Sequence, residues 1–115
     1  KKSNLNGKVC VSGQDATADG LAAILTGDLS NTVYKAVKQE AQGAADLAVA
    51  LIKGKSAAKL AKGKTNDGVR DVPSVLLVPV GITKANVKVV IADGFQTRDA
   101  VCKIATEDVC KKNGI

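Results

Sequence analysis

Asp15 and Lys35 are the residues best suited to chemistry in this chain; each closes a candidate strand, twenty residues apart. A carboxylate only accepts hydrogen bonds and an ammonium only donates them. Side by side at a sheet edge, the two suit a small ligand rich in hydroxyls, because every hydroxyl does both and charge-assisted bonds are the stronger kind. Gln14 adds a neighbouring amide that donates and accepts. In open α/β sheets, ligands bind in the crevice outside the strand carboxyl ends. The residue types alone leave a second role open for each, since Asp15 can cap a helix and Lys35 can be a solvated surface group.

Covalent chemistry has little support. The chain has no histidine, the commonest general base. It has no Gly-x-Ser-x-Gly, phosphate-binding loop or dinucleotide fingerprint. Three cysteines without a Cys-x-x-Cys do not make a metal site. The expectation is a binding protein, not an enzyme, with no cofactor and no metal.

The elements that must position these residues follow from periodicity and caps. Lys8–Ser12 reads as a buried strand with Cys10 as an inert thiol inside it, and Gly13 to Asp15 as the turn after it. Asp15 or Thr17 caps a helix through Leu21, Ala22, Ile24 and Leu25, which Gly27 stops. Thr32–Lys35 is rich in β-formers. Tyr34 points to the face opposite Lys35 and reads as packing. Apolar residues at Val37, Ala41, Ala44, Ala45, Ala48, Leu51 and Ile52 share a helical face, predicting a helix over 37–53. Residues 56–71 read mostly as loop. Val75–Val80 is a continuous apolar run, as in a strand buried on both faces, bracketed by Pro73 and Pro79. Thr83 caps a short helix through Ile91 that Gly94 closes, and a further short helix is expected near 99–104. The β-α-β-α-loop-β-α order implies a largely parallel α/β sheet. Three strands are few for an open sheet, which suggests a piece of a larger fold.

Composition agrees with a globular α/β chain. It has 115 residues, 45% of them hydrophobic, and only Tyr34 and Phe95 as aromatics. The formal charge is +6, and much of the basic excess lies in Lys53–Lys64. That stretch has no aromatic to stack on bases and no arginine for bidentate base contacts, so it reads as a solvated face and not as a nucleic-acid site. No run is long and apolar enough for a bilayer. Residues 1–6 are polar and precede only a short apolar run, unlike a secretory signal. Either the chain is cytosolic or its start has been removed, and the rest of the sequence favours the second.

Three stretches carry a resemblance: Val11-Ser-Gly-Gln-Asp15; Thr32-Val-Tyr-Lys35 with the alanine-rich helix after it; and Asp67-Gly-Val-Arg-Asp-Val-Pro-Ser74 with Asp93-Gly-Phe95. In this order the chain resembles the C-terminal part of the bacterial D-xylose-binding proteins, the sugar-binding components of ABC transporters with the type I periplasmic-binding-protein fold. The resemblance runs from about Lys8 to Phe95. It implies an α/β fold, Rossmann-like parallel sheet layers of a two-lobed protein, present here only as a C-terminal fragment. Residues 1–34 would belong to the C-terminal lobe. Residues 35–77 would form a hinge crossing and a helix contributed to the N-terminal lobe, and 78–115 the return and the tail. A monosaccharide, expected to be D-xylose or a related pentose or hexose, would sit between the lobes, with Asp15 accepting from its hydroxyls, Lys35 donating, and Gln14 beside them. The implied partners are an ABC permease in the membrane and the missing N-terminal two-thirds, as a companion chain or as the lost part of one polypeptide. The implied location is extracytoplasmic, in the periplasm or at the cell surface, with a lipoprotein anchor through the missing start. Two other readings stand beside it: a sugar-sensing ectodomain for a signalling receptor, and an independent small basic α/β binding domain.

The tail departs from that family. Cys102 and Cys110 lie eight apart in a polar segment, either as a disulfide that pins the terminus or as two reduced, solvated thiols. The disulfide is the expectation, and it suits an oxidising compartment.

Overall fold

The computed structural model describes residues 3–115. In chain order the elements are α1 (Ala18–Thr26), β1 (Thr32–Tyr34), α2 (Val37–Ile52), a 3-10 turn (Ala57–Lys59), β2 (Gly63–Asn66), β3 (Asp71–Ser74), β4 (Val80–Ile82), α3 (Lys88–Ala92), α4 (Arg98–Ala105) and α5 (Glu107–Lys112). They fall into two compact units: Ala36–Val78, and the chain on either side of it. The fold is mixed helix and strand, an α/β arrangement.

The flanking unit holds the apolar core. Thr17 caps α1 by accepting from the Gly20 N–H, and Gly27 ends the helix in the left-handed region at φ 86°. Leu21, Ala22, Ile24 and Leu25 are buried on the inner face of α1, which packs against α4 and α5. β1 and β4 pair antiparallel with Thr32 opposite Ile82. Val87, Val90 and Val101 are buried in the same core. Cys102 and Cys110 are joined in a disulfide, so the expected pairing is present and it fastens α4 to α5. Arg98 also holds both carboxylate oxygens of Glu107.

The second unit is built from α2 and the β2–β3 hairpin, which pairs Gly63 with Ser74 and Asn66 with Asp71. The Asp67 carboxylate accepts from the Val69 and Arg70 N–H groups at the hairpin tip. Those two bonds hold its pKa below the ordinary aspartate value. No residue of α2 is buried.

Several local expectations need correction. Residues 8–12 do not form a buried strand. Ser12 makes one parallel bridge, to Asn31, while Val9 and Val11 are exposed and Cys10 is an exposed thiol. Among the described residues the segment pairs along one edge only, and its side chains stay about half exposed. Strand pairing between named strands is antiparallel, and the parallel contact is confined to that bridge. Residues 56–71 are not mostly loop: they contain the 3-10 turn and β2. The run 75–80 is not one buried strand. β3 ends before it, β4 begins at its last residue, and Leu76, Leu77, Val78 and Val80 are exposed. Thr83 is not an N-cap; its backbone N–H donates to Asn86, which fixes a turn, and α3 starts later. α5 lies beyond the expected last helix.

Candidate functional site

Residues 11–15 run alongside 30–33, tied by three backbone bonds. The Ser30 N–H donates to the Val11 carbonyl, Gly13 to Asn31 and Asp15 to Val33, each at 2.8 Å. Gly13 sits close against this neighbour: a Cβ there would lie 3.3 Å from Leu29 Cδ2 and 3.6 Å from Thr32 Oγ1. The chain then turns sharply, with Asp15 at φ 75° and Ala16 at φ 45°. Left-handed backbone costs a non-glycine residue about 1–2 kcal/mol, so this turn persists only because its surroundings fix it. The Ala16 side chain is fully buried and its N–H donates to Thr32 Oγ1 at 3.3 Å. Thr17 then opens α1.

The turn lifts Asp15 beside Lys35, the residue after β1. Lys35 Nζ lies 2.9 Å from Asp15 Oδ1, with the lysine side chain 38% and the aspartate 59% exposed. The structure thus brings Asp15 and Lys35 into contact and leaves Gln14 exposed on the same turn. A half-exposed ion pair contributes little stability, on the order of 1 kcal/mol or less. What it does offer is an acceptor and a donor fixed side by side at an accessible edge.

Behind Lys35, Tyr34 is buried. Its ring meets Phe95 at 5.2 Å between centroids, tilted by 49°, and its hydroxyl donates to Asp93 Oδ2. That hydrogen bond, then burial, then the nearby Asp93 charge push the Tyr34 pKa up to about 12. Tyr34 is therefore packing, as its alternation with Lys35 implies, and also a polar tie to Asp93. Thr32 and Ala16 were not singled out in the sequence; the legible signal was a threonine at the inward position of a short strand.

Among the described residues, no group of His, Cys, Asp and Glu is arranged to hold a metal ion, and no helix is long and apolar enough to cross a membrane. In the Ala36–Val78 unit a shallow groove of about 440 Å³ is lined by Gly43, Ala44, Leu47 and Val75–Leu77, among others, and includes none of Gln14, Asp15, Tyr34 and Lys35.

No protein-family model matches the chain. It is 40% identical over 98 residues to the D-xylose-binding periplasmic protein of Haemophilus influenzae, covering 84% of this chain and 29% of that one. It is 45% identical over 92 residues to the D-xylose-binding periplasmic protein of Escherichia coli, covering 79% and 27%. A multiple sugar-binding periplasmic receptor of Rhizobium radiobacter matches at 35% over 85 residues. Among solved structures, a carbohydrate transporter solute binding protein from Chloroflexus aurantiacus, in complex with D-glucose, superposes with a TM-score of 0.72 at 34% identity, over 79% of this chain and 26% of that one. By sequence and by fold, the chain is related to the sugar-binding periplasmic proteins. In particular it is similar to a segment of the D-xylose-binding periplasmic proteins, and it spans 27–29% of the length of those relatives.

Proposed function

We propose that this chain is part of the sugar-binding component of an ABC importer, with D-xylose as its sugar and the Asp15–Lys35 pair as its contribution to the site. The observation that carries the reading is the pair itself. An accessible acceptor and donor sit 2.9 Å apart on a strained, well-tied turn, within a segment similar to proteins named for D-xylose. Asp15 accepts from sugar hydroxyls, Lys35 donates to a sugar oxygen, and Gln14 adds a neutral partner. The reading needs no covalent step.

In this reading, residues 1–34 and 78–115 serve the C-terminal lobe and 35–77 serve the N-terminal lobe. Two compact units with boundaries at 35/36 and 78/79 support that division. The rest of the fold comes from the N-terminal two-thirds, carried by a companion chain or by the same polypeptide. The exposed apolar side chains of the second unit support a covering partner, with Ile52 at 85% and Val78 at 88% exposure. Sugar binding closes the two lobes by a hinge motion, and an ABC permease reads the closed form. The protein works outside the cytoplasm, in the periplasm or at the cell surface, with a lipoprotein anchor; the buried disulfide suits an oxidising compartment.

Native mass spectrometry with and without D-xylose tests this. One pentose mass gained by the assembly that carries the whole two-lobed fold is the expected result. A whole assembly indifferent to D-xylose would remove the sugar-binding reading. A second reading, delivery of the closed form to a signalling receptor, is favoured by the relative named a receptor; co-purification with a sensor protein instead of a permease would select it.

A further inference from the structure

We propose that Thr32 is the positioning residue of the Asp15–Lys35 site, acting through Ala16 to hold Asp15 where it meets a sugar. The proposal rests on the reading of that site as a sugar site.

Thr32 is a polar side chain buried to 1% exposure. It lies on β1 beneath the turn. Its Oγ1 would sit 3.6 Å from a Cβ at Gly13 and accepts from the Ala16 N–H at 3.3 Å. Ala16 has no exposed surface, so its N–H has no water to turn to and depends on that hydroxyl. Ala16 is also poorly suited to its backbone, an alanine at φ 45°. Asp15 is tied on its own account through its N–H to the Val33 carbonyl. That bond fixes where the residue starts but not where its carboxylate points, which depends on the two consecutive left-handed residues. The Thr32 hydroxyl holds the second of these from the buried side, while Lys35 holds the carboxylate from the open side. Two such constraints keep an accepting group in one orientation before the ligand arrives.

Valine in place of threonine keeps the shape and β preference of the side chain but sets a methyl group against the Ala16 N–H. Serine keeps the hydroxyl. In the complete binding protein, Thr32→Val is expected to raise the D-xylose dissociation constant roughly tenfold or more, the scale set by an unsatisfied buried donor. Thr32→Ser is expected to stay close to the unsubstituted protein. In the sugar-free protein, Thr32→Val is expected to speed amide exchange at Ala16 by a similar factor, and Thr32→Ser to leave it slow. Affinity unchanged in Thr32→Val, equal losses in both variants, or unaltered exchange at Ala16 would overturn the proposal. If the unsubstituted complete protein takes up no D-xylose, the site reading itself fails, and the proposal that Thr32 serves that site falls with it; Ala16 exchange then reports the turn alone.

Discussion

Asp15 and Lys35 sit twenty residues apart in sequence and 2.9 Å apart in space, and each limits what the other can do. Lysine neutralises the carboxylate and orients it, so the proposed sugar would meet a prepared pair instead of a mobile charge. In the complete protein, Asp15→Ala should abolish D-xylose binding while the fold survives; calorimetric titration with retained affinity would remove Asp15 from the site. Lys35→Ala should weaken binding by about 1.5–3 kcal/mol, the range for a hydrogen bond to a charged group. An unchanged dissociation constant would return Lys35 to the surface. Tyr34 gives a pH prediction. Its folded pKa of about 12 lies above the ordinary value of 10.0, so the folded state keeps its proton longer than the unfolded state does. Stability tied to that proton is complete below pH 10 and is lost as the pH rises towards 12. Tyr34→Phe should cost about 1 kcal/mol at neutral pH and flatten that decline, read from urea midpoints across the alkaline range. A decline that persists unchanged in Tyr34→Phe would assign it to other groups.

At the scale of elements, the helices were the legible part. Thr17 and Gly27 punctuate α1 as a cap and a stop should, and the apolar spacing of α2 gave its extent to within one residue. The strands were less legible, for physical reasons. A continuous apolar run such as 75–80 looks alike whether both faces are covered or neither is, and here the side chains stand exposed. The β2–β3 hairpin was hidden by lysine and asparagine, although Asp67-Gly68 at its tip is a known turn signal. α5 was hidden by its charges, since Glu-Asp-Val-Cys-Lys-Lys shows no apolar period. Asp15 and Lys35 could be singled out from residue type and strand ends, whereas Thr32 could not, because its role depends on the unusual backbone of a residue sixteen positions away. Gly63 offers a test of the hairpin. A Cβ there would meet Leu76 Cδ1 at 2.8 Å and the Ser74 carbonyl at 3.1 Å. Leu76 can swing outward but the carbonyl cannot, so Gly63→Ala should destabilise the hairpin by about 1 kcal/mol after the gain from a stiffer unfolded chain. Faster amide exchange at Thr65 and Val72 would register it; unchanged rates would mean the contact relaxes. Reducing Cys102–Cys110 should cost about 2–3 kcal/mol for a loop this short. The loss should appear as early fraying of α5 in exchange data, and a tail that stays protected when reduced would credit Arg98–Glu107 and packing instead.

Across the whole molecule, burial is unevenly shared. The core residues of α1, α3 and α4 lie in one unit, whereas α2 in the other buries none of its sixteen. Most helical stability in proteins comes from tertiary packing, and α2 has little of it. In the isolated chain, α2 amides should therefore exchange well before those of α1, and they should slow when the rest of the two-lobed fold is supplied. Equal protection of both helices in the isolated chain would contradict this picture.

The sulfur of Cys10 has a practical consequence. The chain has three cysteines and no methionine, and two of the cysteines are locked together, so one exposed, reduced sulfur remains. It stands five residues before Asp15. A thiol-reactive dye would thus label this stretch of the protein at a single known point, close in sequence to the proposed sugar contacts, without mutagenesis, as an optical reporter of the proposed site. The same unpaired sulfur makes covalent dimers the expected product of storage in air.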